Sequence, residues 1–255
     1  MNKLFYFTII AVVLCSCNTS TDKGKLAEVS NNVELGQAGT FKFLAFDSLE
    51  VTADYYPNEA AESLIILCHQ GGFSRGAYKD IAPRLVDSGF ACLALDLRSG
   101  NMAQEILNET ANRARENGKA STYIDAKQDI EAAINYVASN STKNIYLWGS
   151  SYSASLALII ANEDDRIQKV VAFSPGEFLS NQEQVRSSIG NLSKPIFITG
   201  SKGEYDIIVK PIVDALNKNN LITLKQDGSG NHGTKTLWSD NTNTANIYEK
   251  LFEFL

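Results

Sequence analysis

The chain has 255 residues, 44% of them hydrophobic and 20% charged, with a formal net charge of −6. That length suits one large domain or two small ones, and the composition is that of a globular protein. An acidic balance without a basic patch argues against nucleic acid as a partner. With two histidines and no metal-ligand spacing, nothing in the sequence calls for a metal or another cofactor.

The N-terminus differs in kind from the rest. Lys3 precedes an apolar run from Leu4 to Leu14, too short to span a bilayer and of the length of a signal-peptide core. It ends Leu14-Cys15-Ser16-Cys17, the form of a bacterial lipobox that closes on Cys17; Cys15 fits less well because bulky Leu14 precedes it. Residues 1–16 therefore read as a lipoprotein signal peptide, Cys17 as the lipidated residue, 17–38 as a polar tether and 39–255 as the folded domain. The expected location is the bacterial cell envelope, with the membrane reached through the lipid anchor. A plain secretory signal with two incidental cysteines is the alternative.

Thr40–Phe46 and Val51–Tyr56 alternate around Asp47-Ser48 and predict an antiparallel hairpin. Leu64–Cys68 is a continuous apolar run, hence a central strand. Tyr78–Ser88 has helical spacing through Ile81, Leu85 and Val86, with Gly89 as its stop. Phe90–Leu95 reads as another buried strand, and Asp125–Ala138 as an amphipathic helix. Cys68 and Cys92 sit within strand-like runs; they read as isolated core residues, with a disulfide as the alternative in an exported protein. Strands over Lys169–Phe173, Pro195–Thr199 and Leu221–Lys225 alternate with helices over Ile207–Leu216 and from about Thr242 to the end. This alternation predicts an α/β fold with a mostly parallel sheet and right-handed crossovers. Two long connections, Arg98–Tyr123 and Ser174–Lys194, read as binding loops, and no stretch is long enough for a large lid domain.

The most informative stretch is Asn144–Ile160. An apolar strand breaks at Gly149 and resumes as a small-residue helix, which is the pattern of a nucleophile elbow with Ser151 at its tip. Ser153 stands where a second glycine is usual, and two other registers compete: Ser151-x-Ser153-x-Ser155, centred on Ser153, and the neighbouring Ser150. An ordinary turn in which the serine merely caps the helix is the simpler reading. A serine needs a base, and the base needs an acid to hold its tautomer. The chain offers His69, which precedes the elbow, and His232, which lies in the loop between the last strand and the last helix. The order nucleophile, acid, histidine selects His232. The acid is expected just past Pro195–Thr199, where Glu204 and Asp206 both qualify; Glu204 is nearer the strand end, and Asp206 could instead cap the helix at Ile207. Oxyanion donors are expected from the backbone of Tyr152 and of Gly71, with Gln70 as the alternative to Gly71. His69 then reads as a brace for its loop.

The pieces His69-Gln70-Gly71-Gly72, Asp96-Leu97-Arg98-Ser99-Gly100, Gly149-Ser150-Ser151-Tyr152-Ser153 and His232-Gly233-Thr234 resemble the α/β-hydrolase superfamily. They most resemble its dienelactone-hydrolase-like and esterase-like bacterial lipoproteins, over roughly residues 40–255. The resemblance implies an eight-stranded central sheet and a serine triad acting on a small acyl substrate, an ester, thioester or amide. Two departures stand out: Ser153 for glycine, and an acid loop without the usual Gly-x-x-Asp spacing. The competing reading is a non-catalytic lipoprotein that keeps the fold to bind a ligand or partner. Arg98, Asn101, Arg113 and Arg115 could meet a substrate carboxylate, the plainer reading being solvated surface charge.

Overall fold

The computed structural model describes residues Met1, 35–179, 183–228, 230–242 and 244–255. The expected signal peptide, Cys17 and most of the tether lie outside these described residues. The chain divides into two compact units, Met1–Asn32 and Val33–Leu255, and all the described secondary structure belongs to the second. Among the described residues no helix is long and apolar enough to cross a membrane.

The alternating apolar pattern near the start folds as the expected hairpin, β1 (Gly39–Leu44) and β2 (Glu50–Tyr56). The fully apolar runs become β3 (Ser63–Cys68) and β4 (Ala91–Leu95), with α1 (Ile81–Asp87) between them. Then come a two-stranded ribbon, β5 (Met102–Ala103) and β6 (Ile106–Leu107), and the helices α2 (Glu109–Glu116) and α3 (Lys127–Asn140). The second half continues β7 (Asn144–Ser150), α4 (Tyr152–Glu163), β8 (Ile167–Phe173), α5 (Gln184–Ser188) and β9 (Ile196–Gly200). It closes with α6 (Lys210–Ala215), β10 (Leu221–Lys225) and α7 (Ala245–Phe254).

Eight strands form one sheet in the order β1-β2-β4-β3-β7-β8-β9-β10. β2 runs antiparallel to both its neighbours, and every pairing from β4 to β10 is parallel. Because side chains alternate across a strand, β3 feeds two cores. Leu64, Ile66 and Cys68 face the layer of α3 and α4, whereas Ile65 and Leu67 face α1 and α7. Each such fully buried aliphatic side chain contributes about 1.5–3 kcal/mol of transfer free energy. Cys68 belongs to the first core and Cys92 to the second, so the two thiols lie on opposite faces of the sheet and remain free.

The connection expected as an Arg98–Tyr123 binding loop is built structure instead. Asn108 caps α2 by accepting the Ala111 N–H at 2.7 Å, and the Thr52 N–H of β2 donates to Thr110 Oγ1 at 2.8 Å, fastening the helix to the sheet. Arg98 is neither solvated nor poised for a ligand. Its fully buried guanidinium is forked onto Asp129 of α3 (2.7 and 3.0 Å) and onto Asp47 of the hairpin turn (2.9 and 3.1 Å). Arg113 is likewise used on the scaffold, donating to the Glu50 carbonyl at 2.8 Å. Arg115 donates to Asn112 Oδ1 on its own helix. The Asn101 main chain is likewise bonded, its N–H to the Phe73 carbonyl at 2.9 Å.

The chain runs from β3 to β4 on one side and later from α3 to β7 on the other. This reversal falls at the carboxyl ends of β3 and β7, the place where open α/β sheets form a ligand-binding crevice.

Candidate active site

Ser151 follows β7 directly and holds φ 60°, ψ −123°. A left-handed φ on a residue with a Cβ costs on the order of 1–3 kcal/mol and survives only where the surroundings impose it. Here the Ser151 N–H is tied to the Phe173 carbonyl at 2.8 Å, and Gly149 allows strand and helix to touch: a Cβ on Gly149 would lie 2.3 Å from the Ser153 carbonyl oxygen. Ser151 makes no side-chain cap bond to α4, so the reading as a simple N-cap fails.

The competing serines are all occupied. Ser150 Oγ accepts the Thr234 N–H (2.9 Å) and donates to Gln70 Oε1 (3.1 Å). Ser153 Oγ accepts the Ser150 N–H and donates to the Cys68 carbonyl, each at 2.8 Å. Ser155 Oγ donates to the Gly176 carbonyl at 2.6 Å. Ser151 is thus the serine of the turn whose hydroxyl has no hydrogen-bond partner among the described residues, with the first-turn N–H groups of α4 behind it.

On the other side of the crevice, the loop after β3 is braced by His69. This histidine is fully buried; Nδ1 lies 2.8 Å from the Gln70 carbonyl, and Nε2 receives the Leu97 N–H at 2.9 Å. An Nε2 that accepts leaves the proton on Nδ1, so the ring is neutral, and burial pushes its pKa down to about 4. The Gln70 carbonyl is also held by the Phe73 N–H (3.2 Å). A trans peptide then sends the Gly71 N–H in the opposite direction, away from those partners.

His232 and Glu204 are brought together. His232 Nδ1 lies 2.5 Å from Glu204 Oε2, while Glu204 Oε1 accepts the Ser201 N–H at 2.9 Å and the Ser174 hydroxyl at 2.5 Å. Burial alone would raise the Glu204 pKa, but these hydrogen bonds, that of His232 foremost, hold it below its ordinary value. A carboxylate accepts only, so Nδ1 donates to Glu204, and in the neutral ring the lone pair lies at Nε2. The ring meets Phe178 edge-on at 5.9 Å. Asp206, the other acid left open by the sequence, points elsewhere. It is exposed and paired with Lys225 at 2.5 Å, on a π-helical turn, Tyr205–Val209.

Ser174 is a site residue that sequence reasoning missed. It is fully buried at the end of β8 with φ 52°. Its one hydroxyl donates to Glu204 and accepts the Gly233 N–H at 2.9 Å, fixing the acid relative to the residue after His232. Gly233 itself has φ 65°, and a Cβ there would fall 2.3 Å from both Gln70 Oε1 and Ser150 Oγ. The His232 segment is therefore clasped to the residue before Ser151 through Ser150 and Thr234, and to Glu204 through Ser174. A Ser-Pro pair after a strand carries no sequence signal for such a role.

Tyr152, the first residue of α4, has no intrahelical acceptor for its N–H. Its ring is buried, accepts a hydrogen bond at Oη from Ser99 Oγ (2.7 Å), and stacks on Tyr123 with centroids 4.2 Å apart.

Comparison with known proteins places the chain in a family. The model of the dienelactone hydrolase family matches residues 51–221, more than half of the chain. A quorum-quenching protein, AidA, of Acinetobacter baumannii is 28% identical over 141 residues, which cover 51% of this chain and 42% of that relative. The chain thus spans less than half the length of that relative. Among solved structures, an esterase of Pyrococcus furiosus superposes with a TM-score of 0.64 at 16% identity, covering 86% of this chain and 89% of that one. A dienelactone hydrolase of Anabaena variabilis gives 0.64 at 14% identity, covering 86% and 96%. The chain belongs to the dienelactone hydrolase family and has the α/β-hydrolase fold.

Proposed function

We propose that this member of the dienelactone hydrolase family is a serine hydrolase that cleaves a carboxylic ester through an acyl-enzyme. The observation that carries the reading is the Glu204–His232 pair, held at 2.5 Å and clasped to the turn whose tip is Ser151. His232 Nε2 takes the proton of Ser151 Oγ as that oxygen bonds to the carbonyl carbon. The carbonyl oxygen becomes an oxyanion, received by the N–H groups of Tyr152 and Gly71. His232 then passes its proton to the departing alkoxide. A water molecule, deprotonated by the same Nε2, attacks the acyl-enzyme and returns Ser151 with release of the acid. Glu204 stays ionised throughout, keeping Nδ1–H in place and stabilising the imidazolium. Thioesters and amides would follow the same course. We read Cys17 as the point of lipid attachment that holds this domain at the cell envelope.

The test is labelling by a fluorophosphonate probe of wild-type protein and of Ser151→Ala and His232→Ala. Labelling of the wild type that disappears in both variants supports the reading, and hydrolysis of aryl esters and simple lactones then ranks the substrates. A folded wild type that neither labels nor hydrolyses any of them sinks it and favours a ligand-binding role.

A further inference from the structure

Tyr123 stands at the end of the built connection, one 3₁₀ turn before α3, and no step so far uses it. Its mounting is rigid. The N–H and hydroxyl of Thr122 both donate to Asp125 Oδ2, at 2.8 and 2.6 Å, and Tyr123 opens the 3₁₀ turn Ile124–Ala126 that runs into α3. The ring lies parallel to that of buried Tyr152, with 9° between the planes, so one face is covered while 40% of the residue is exposed. The hydroxyl reaches across to the other side of the crevice, where a Cβ on Gly71 would meet Tyr123 Oη at 2.4 Å. One side chain therefore touches both residues whose backbone N–H groups receive the oxyanion in the proposed reaction. The two phenols differ in their commitments: Tyr152 Oη is engaged by Ser99, whereas Tyr123 Oη takes no hydrogen-bond partner among the described residues.

A phenol held by a stacked ring, against the two residues that carry the proposed oxyanion donors and with its own proton unspent, has the preorganisation that such sites require. We propose that Tyr123 is a catalytic residue: its hydroxyl donates a third hydrogen bond to the carbonyl oxygen of the bound ester and strengthens that bond as the oxyanion forms. The phenol keeps its proton throughout; no bond is made or broken at Tyr123. The ring's free face at the same time walls the cleft beside the carbonyl, which suits an uncharged acyl group lying flat against it. This inference rests on the serine-hydrolase reading, and its failure is separable from the failure of that reading.

The experiment compares wild type, Tyr123→Phe and Tyr123→Leu. It uses steady-state hydrolysis of p-nitrophenyl acetate, inhibition by an aryl trifluoromethyl ketone, whose serine adduct carries an oxyanion, and thermal unfolding. Tyr123→Phe keeps the stacked ring and removes only the donor. The expected result is a fall in kcat of roughly 10- to 100-fold with KM within about twofold, a matching loss of ketone affinity, and an unchanged melting temperature. Tyr123→Leu should lose as much activity and, in addition, melt lower. A Tyr123→Phe enzyme with kcat and ketone affinity within about twofold of wild type would overturn the proposal and leave the ring as packing alone. A loss confined to KM would assign Tyr123 to ground-state binding and equally overturn it. If wild type shows no hydrolysis and no fluorophosphonate labelling, the hydrolase reading fails first.

Discussion

Replacing Ser174 by alanine removes one oxygen atom and breaks two hydrogen bonds that meet at the candidate site. The first runs from the hydroxyl to Glu204 Oε1 at 2.5 Å, and the second from the Gly233 N–H to the same hydroxyl at 2.9 Å. A hydrogen bond to a charged partner contributes about 1.5–3 kcal/mol, and a buried N–H left without an acceptor costs about 1–3 kcal/mol. Both lie at a fully buried residue, where water is a poor substitute. With allowance for relaxation, Ser174→Ala should lower the unfolding free energy by about 2–4 kcal/mol, a large part of the 5–15 kcal/mol typical of a domain. Losing a donor also moves the Glu204 pKa upward, back toward its ordinary value, and frees the His232 loop to drift. The expected consequence is a fall in kcat/KM of roughly tenfold or more on an aryl ester, read beside urea denaturation at about pH 7.5. Ser174→Gly is the informative companion. Glycine tolerates φ 52° where serine and alanine are strained, so it should recover about 1 kcal/mol of stability without recovering activity. If Ser174→Ala stays within about 0.5 kcal/mol and twofold in activity of wild type, the clasp has no energetic weight and the reasoning is wrong.

Two further outcomes follow from buried charge. Arg98→Met strands the Asp129 carboxylate, which has no solvent exposure, and should destabilise the fold by about 3–5 kcal/mol in urea melts. Replacing Asp129 by asparagine in the same chain should recover part of that loss. For His69, burial lowers the folded pKa to about 4 against about 6.5 in the unfolded chain. Between those values the unfolded chain binds the extra proton, so stability rises with pH through the window and is complete above it, with a slope of up to about 1.4 kcal/mol per pH unit. From about pH 7 to pH 5 this residue should account for a loss of about 2 kcal/mol, which His69→Gln, unable to ionise, should abolish. Glu204, whose pKa is depressed, loses its contribution only at lower pH, as the pH falls through its folded value.

Local pattern carried much of the fold. The strand-turn-helix at Ser151, the unbroken apolar β3 and the amphipathic α3 were legible because periodicity and a single glycine specify them within a dozen residues. α2 was not legible: its buried face is only Thr110, Ala111 and Ala114, so it shows no apolar stripe. The role of Arg98 is hidden from the sequence because its partners, Asp129 and Asp47, lie 31 and 51 positions away and are gathered by the fold alone. Glu204 and Asp206 could not be separated by spacing. Two positions apart on a helical turn they point in different directions, and only the packing of that turn decides which one meets His232. The signal for Ser174 lies wholly in three dimensions, since its importance comes from two loops that converge on one hydroxyl.

The backbone at Ser151 has a consequence for how such a chain would change over generations. At φ 60° and ψ −123° the local conformation favours glycine over every residue with a side chain. A descendant released from selection for activity would gain stability from a single Ser151→Gly change, while Ser150, Ser153 and Ser155 kept their bonds and the sheet stayed intact. Among the described residues the folded scaffold makes no use of the Ser151 hydroxyl, so the strain at this turn is not offset by any bond of that side chain.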